Sequence, residues 1–224
     1  ADEERIIMNE KKNIIQRINA LSGSRSPYEV YCDWVKCMAL SIQNSCCMFQ
    51  DEIWKKREEE YIKTIRAYGE DGKQFAEMTG MLVTTLEDEF SDVLGEIYME
   101  SGCGNKNTGQ FFTPFHISLA TAKVSLAGAD GNSPIQLNEP SCGGGGMLIA
   151  AAKALKDKNI NYQKVMKVVA QDLDWKAVYM CYVQLSLLGI NAVVVQGDAL
   201  LDFDWKNRPP ECIFRTPKRM GMWI

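Results

Sequence analysis

Over the first hundred positions, apolar residues recur at three- and four-residue intervals, the spacing of one helix face. Val30, Trp34, Cys37, Met38, Ile42 and Cys46 form one such stripe, and Phe75, Met78, Leu82 and Leu86 form another. Between them runs a charged stretch from about Asp51 to Tyr68, which Gly69 breaks. Ser26-Pro27-Tyr28-Glu29 offers a capping serine, a proline at the first helical position and a glutamate at the third, the pattern of a capping box. Ser91 opens a short helix through Asp92-Val93-Leu94-Gly95-Glu96-Ile97-Tyr98. Residues from about 2 to 100 therefore read as helical, with the aromatic and methionine stripes as packing faces.

The pattern changes after the polar, turn-forming run Gly102-Cys103-Gly104-Asn105-Lys106-Asn107-Thr108-Gly109. This run divides a helical N-terminal region, 1–104, from a second region, 105–224. Phe115 to Leu126 reads as a helix, Ile135 to Asn138 as a strand, and Met147 to Lys156 as a helix entered through four glycines. Val165 to Ala170 is a β-branched strand, Trp175 to Leu188 a helix stopped by Gly189, Ala192 to Val195 a third strand, and Cys212-Ile213-Phe214 a fourth. Strands alternating with helices predict a parallel, doubly wound α/β sheet.

Composition narrows the function classes. The 224 residues are 46% hydrophobic and 24% charged, ordinary values for a globular chain. Charged residues interrupt every apolar stretch before it reaches membrane-spanning length. The charged opening ADEERIIMNEKKN does not read as a secretory signal. Eight scattered cysteines contain no C-x-x-C pair and the single histidine is His116, which argues against zinc and for reduced, mostly buried thiols in the cytoplasm. A net charge of −4 argues against binding nucleic acid through the overall field. Lys206, Arg208, Arg215, Lys218 and Arg219 nevertheless make a local basic patch, which on charge alone reads as a solvated tail.

The strongest chemical signal is strand, then Glu139-Pro140-Ser141-Cys142-Gly143-Gly144-Gly145-Gly146, then helix. Glycines let the chain turn sharply and bring backbone N–H groups and a helix N-terminus close to an anionic ligand. Tight helix-on-strand packing alone would also use them. A dinucleotide fingerprint would need glycine where Leu148 stands, so NAD is disfavoured. Asp172 ends the second strand 27 residues after Gly145, where such folds place an acid on ribose hydroxyls. Asp198 closes the third strand. Each acid alone could equally be a helix cap or a turn residue; together they favour a nucleoside-containing cofactor.

Gly109-Gln110-Phe111-Phe112-Thr113-Pro114, the Glu139–Leu148 turn, Gln171-Asp172, Gly189-Ile190-Asn191 and Gly197-Asp198 follow in an order that resembles the N6-adenine DNA methyltransferase family. The likeness is to the methylase subunit of type I restriction-modification systems and to related phage methylases, over roughly residues 90 to 214. It implies a Rossmann-like S-adenosylmethionine-dependent methyltransferase sheet of about four parallel strands behind a helical region. Because the sequence ends at Ile224, that sheet is expected to be incomplete after its fourth strand.

By position, the resemblance implies that Phe112, Thr113 and Pro114 line the methionine end of S-adenosylmethionine and that Glu139 and Gly143 to Gly145 wrap its amino-acid portion. It assigns Asp172 to the ribose and Asp198 to the adenine amino group. Glu139 departs from the family's aspartate. The family also ends its fourth strand with Asn-Pro-Pro-Tyr/Phe, whose acceptors and aromatic ring hold the target base. Here the strand is followed by Arg215-Thr216-Pro217-Lys218, and neither arginine nor lysine has an acceptor or an aromatic face. Asn207-Arg208-Pro209-Pro210 has the composition but precedes the strand. An apolar fourth strand would need its edge covered, by the Met220–Ile224 tail or by a partner.

Three functions stay open at this point: an active adenine methylase, a degenerate methylase that still binds S-adenosylmethionine, and a structural or interaction module. DNA would be reached through a partner or a further segment. Specificity or nuclease subunits and a second copy are the candidate partners, and no membrane is implicated.

Overall fold

The computed structural model describes residues 2–102, 112–201 and 204–222, with side chains from residue 10 onward. Gly109, Gln110 and Phe111 of the expected cofactor motif lie outside the described residues, as does most of the Gly102–Gly109 run.

The N-terminal region is helical as its periodicity predicts: α1 Asp2–Leu21, α2 Pro27–Ser45, α3 Glu52–Arg66, α4 Lys73–Asp88 and α5 Val93–Glu100. The capping box forms at the start of α2, where Glu29 N donates to Ser26 Oγ at 3.2 Å and Ser26 N donates to Glu29 Oε2 at 2.7 Å. Gly69, at φ +56°, takes the left-handed turn after α3. Asp92 caps α5, its carboxylate accepting from Gly95 N at 3.0 Å. Lys11 of α1 bridges Glu89 (2.6 Å) and Glu96, pinning the chain on both sides of Asp92.

The second region follows as α6 Phe115–Ser125, β1 Ile135–Glu139, α7 Gly146–Asp157, the four-residue α8 Tyr162–Val165, β2 Met166–Asp172, α9 Trp175–Leu187, β3 Ala192–Gln196 and β4 Ile213–Arg215. The sheet order is β1-β2-β3-β4. The first three strands are parallel, with Leu137 opposite Val168 and Ala170 opposite Val194.

Two expectations are corrected. β4 is not parallel: Ile213 pairs Val195 and Arg215 pairs Val193, antiparallel to β3. The connection from β3 holds only 3-10 turns at Trp205–Asn207 and Pro210–Cys212, with no crossover helix among its described residues. A parallel return needs such a crossover, so the chain turns back at the end where β3 finished. The sheet is also wound on one side. Leu137, Met166, Val168, Ala170, Val194 and Phe214 join the main core, whereas Gln136, Asn138 and Lys167 on the other face are exposed. There Val193, Val195 and Ile213 form a small separate cluster under Trp205.

The main core is continuous from Ile14, Trp34 and Met78 through Val178 and Tyr182 to the sheet, with α2 packed along α9. Phe214 anchors β4 by lying 5.1 Å from Tyr182 and 5.7 Å from Tyr179, ring centre to ring centre. The outer edge of β4 is met by α2: Arg215 N donates to Gln43 Oε1 at 2.8 Å, and Gln43 Nε2 reaches Met220 Sδ at 3.8 Å. Among the described residues, no helix is long and apolar enough to cross a membrane.

Candidate functional site

The carboxyl ends of β1 and β2 open into a cavity of about 310 Å³. It is lined by the glycine turn, by Asp172, by Phe112 and Thr113 ahead of α6, and by Asp92 and Ser118 from the helices on either side. The volume is at the lower end of the range for small-molecule sites.

Each part of the turn has a local cause. Gly143 (φ +52°) and Gly145 (φ +94°) adopt left-handed backbone that side chains rarely take. A methyl on Gly143 would stand 3.1 Å from the Phe112 ring, and one on Gly145 would stand 3.2 Å from Cys181 Sγ on α9. Gly143 thus admits the aromatic wall of the cavity, while Gly145 lets the turn pack on α9. Asp172 holds the turn from below: Gly143 N donates to its Oδ2 at 2.9 Å, and Asp174 N to its Oδ1 at 3.0 Å. Each oxygen has the capacity to accept a further hydrogen bond, and Asp172 lines the cavity.

Other expected residues lie around this centre. Pro114 caps α6 and its carbonyl accepts from Ile117 N at 2.9 Å; it does not line the cavity. Glu139 ends β1 half-buried with Ser141 N donating to its Oε1 at 3.4 Å, outside the cavity lining. Burial raises its carboxyl above the usual carboxylate range, against the Ser141 hydrogen bond. Asp198 stands half-buried past β3, where its Oδ1 accepts from Leu200 N at 2.9 Å in a turn. Gly197 N donates to Asp172 O at 2.9 Å, so the two acidic turns are neighbours.

Arg215 to Lys218 lie elsewhere. Because β4 runs backwards, they sit beside Ala192, at the amino end of β3, roughly 13 Å along the strand from Gln196 at ~3.3 Å per residue. Thr216 is wholly buried and its hydroxyl is consumed there, donating to Ile190 O at 2.7 Å and accepting from Ala192 N at 3.0 Å. Asn207 to Pro210 lie instead at the carboxyl end of β3, where Arg208 Nε donates to Gln196 O at 3.1 Å.

Sequence reasoning missed Asp92, Ser118 and Gln184. Gln184 of α9 is fully buried and joins three segments: its Nε2 donates to Asp92 Oδ1 and to Gly144 O, both at 2.8 Å, and its Oε1 accepts from Leu94 N at 2.9 Å. The sequence places Asp92 just inside a short helix opened by Ser91, whereas in the structure Asp92 is itself the cap, and burial pushes its carboxyl up, against the hydrogen bonds from Gln184 and Gly95. One local signal marked it. A side chain at Gly95 would collide with the Asp92 carboxylate, so glycine replaces the glutamate of a capping box. Cys142 also lines the cavity, but the neighbouring buried Cys181 thiol, hydrogen-bonded to it, is held well above the usual thiol range. That pair suits packing more than nucleophilic chemistry.

The arrangement can take a small polar ligand. Donors come from the first turn of α7, whose N–H groups have no intrahelical acceptor. Acceptors come from Asp92 and Asp172, and apolar walls from Phe112 and Met147.

Known proteins resemble this chain in fold and in family. One similar solved structure, from Listeria monocytogenes, is described as a class I S-adenosylmethionine-dependent methyltransferase. It matches with TM-score 0.50 and 13% identity over 86% of this chain and 54% of that one, a likeness of fold. Another is the methyltransferase subunit of a type I restriction-modification system from Streptococcus thermophilus, with TM-score 0.48 and 20% identity over 89% of this chain and 41% of that one. The chain thus spans about half the length of these structures or less. None of the curated proteins matches it by sequence. The profile of the N-6 DNA methylase family matches residues 87–218, more than half of the chain and all of the site described above, and the chain belongs to that family.

Proposed function

We propose that this chain binds S-adenosylmethionine at the carboxyl ends of β1 and β2, as a DNA adenine N6-methyltransferase-like protein without autonomous activity. The observation that carries the reading is the cavity in which Phe112, the glycine turn and Asp172 meet. Phe112 and Thr113 then border the methionine end of the cofactor, with Pro114 behind them at the start of α6, and Gly143 to Gly145 turn around its amino-acid portion, with Glu139 just outside the lining. Asp172 accepts from the ribose hydroxyls and Asp198 from the adenine amino group. Leu173 and Leu200, exposed next to these two acids, offer apolar contact to a purine face.

The residues fit such a ligand. Ser118 Oγ is buried without a hydrogen-bond partner at the cavity wall, and the lining is acidic where a sulfonium ligand carries positive charge. When bound, S-adenosylmethionine supplies an electrophilic methyl group. What this chain's residues do is bind and orient it and exclude water around it.

Methylating adenine also requires acceptors for the amine and a stacking ring beside the methyl group. Arg215, Thr216, Pro217 and Lys218 supply neither, so DNA is engaged through a partner or a further segment. The candidate partners are a specificity subunit, a nuclease subunit or a second copy, and the setting is the bacterial or phage-infected cytoplasm. The buried, fully engaged hydroxyl of Thr216 favours a second reading: a degenerate subunit that keeps the ligand site for binding or assembly.

Calorimetry tests the first claim. S-adenosylmethionine should bind the purified chain, and Asp172→Ala should weaken it by about 1–3 kcal/mol. Absence of both binding heat and thermal shift overturns the cofactor reading. Labelled methyl transfer to mixed-sequence DNA tests the second claim: transfer by the chain alone would show that it is autonomous after all.

A further inference from the structure

Asp92 and Ser118 both line the cavity, and neither has yet been matched to a particular group of the ligand. Asp92 comes from the helical region before the sheet, and its carboxylate stands over the glycine turn. A methyl on Gly146 would meet its Oδ2 at 2.9 Å, and one on Gly144 would meet its Oδ1 at 3.4 Å. Oδ1 is engaged by Gly95 N at 3.0 Å and Gln184 Nε2 at 2.8 Å. Ser118, from α6, is 0% exposed, and its Oγ has no hydrogen-bond partner among the described residues.

Among the described lining residues there is no lysine, arginine or histidine; the acids are Asp92 and Asp172. A desolvated carboxylate and an orphaned hydroxyl lining the same cavity are both costly unless a ligand donates to them. A compact group with several N–H donors and a positive charge satisfies both at once, and a primary ammonium is that group. The first turn of α7 begins at Gly146, beside Asp92, and its N–H groups suit an anion. Acceptor and donor thus stand side by side, matching the adjacent ammonium and carboxylate of an α-amino acid.

Resting on the cofactor reading above, we infer that Asp92 Oδ2 and Ser118 Oγ receive the α-ammonium of the S-adenosylmethionine amino-acid end. The helical region therefore contributes a ligand-binding residue to the sheet's site. Gln184 acts as a positioning residue, holding Asp92 and the carbonyl of Gly144 together.

The test is calorimetric titration of the full chain with three probes: S-adenosylmethionine, S-adenosylhomocysteine and methylthioadenosine, the last lacking the amino-acid end. Asp92→Asn keeps an oxygen for Gly95 and Gln184 and replaces the other by an amide. It should weaken the first two probes about 10- to 100-fold and leave methylthioadenosine within about twofold of wild type. Ser118→Ala should give the same pattern at roughly three- to tenfold, and carries the test alone if Asp92→Asn does not fold. Equal losses for all three probes would show a merely structural role and overturn the assignment, as would undiminished S-adenosylmethionine binding in both variants. Wild-type chain that binds none of the probes overturns the cofactor reading itself, and this inference with it.

Discussion

The two ends of β3 are built for different purposes. At its carboxyl end the chain concentrates polar groups around a cavity: Asp172 holds Gly143, Gln184 holds Asp92 and Gly144, and Ser118 waits without a partner. At its amino end, polar groups are spent on the fold. Thr216 closes β4 onto Ile190 and Ala192, and Gln43 caps the strand at Arg215. A buried polar group with all its bonds made rigidifies a structure, whereas one with spare capacity facing a cavity is available to a ligand. On the proposed reading, the cofactor half of a methylase would sit at the first end and keep spare capacity, while the tetrapeptide that follows β4 sits at the other and has none.

The largest effect that would break this contrast is at Gln184. Gln184→Leu removes donors and an acceptor from Asp92, Gly144 O and Leu94 N, all buried. Unsatisfied buried groups cost about 1–3 kcal/mol each, so the variant should lose roughly 3 kcal/mol or more. At ~2–4 °C per kcal/mol for a chain of this size, the melting midpoint should fall by about 6–12 °C, with weaker ligand binding as well. A midpoint unchanged within a degree or two would mean that Gln184 does not organise the site. Thr216→Val is the matching change at the other end. Losing its two backbone partners should cost about 1–2 kcal/mol, read by denaturant unfolding, while S-adenosylmethionine affinity stays unchanged. A parallel loss of affinity would join the two ends that the geometry separates.

Much of this contrast was legible where its cause is local. The capping box before α2 and the glycine turn before α7 are set by neighbouring residues, and both form where the sequence predicts. The direction of β4 was not legible, because it depends on the path of the connection and not on the alternation in Cys212-Ile213-Phe214. One-sided winding was written in Ile135-Gln136-Leu137-Asn138, whose strict alternation marks a wet face, but the strand–helix rhythm outweighed it. Asp92 and Gln184 are 92 positions apart, so each reads alone as an ordinary residue of its own helix. Gly145 looked like a ligand-facing glycine, yet its nearest constraint is Cys181 behind the turn.

The smallest expected effect is the sharpest test of position. In the family, an Asn-Pro-Pro-Tyr/Phe element beside the cofactor holds the adenine amine, so restoring its acceptor and its ring should restore catalysis if Arg215 to Lys218 stood in that place. They stand at the amino end of β3 instead, with Arg215 exposed and opposite Val193. Arg215→Asn with Lys218→Tyr, leaving Thr216 and Pro217 untouched, should therefore change stability by no more than about 1 kcal/mol, Arg215 being exposed and Lys218 half-buried. It should add no methyl transfer to DNA over the wild-type chain. A gain of transfer in the double variant would place the tetrapeptide at the carboxyl end of the sheet beside the methyl group, which a fourth strand antiparallel to β3 cannot do. The antiparallel pairing of Ile213 with Val195, and with it the division between the two ends of β3, would then be wrong.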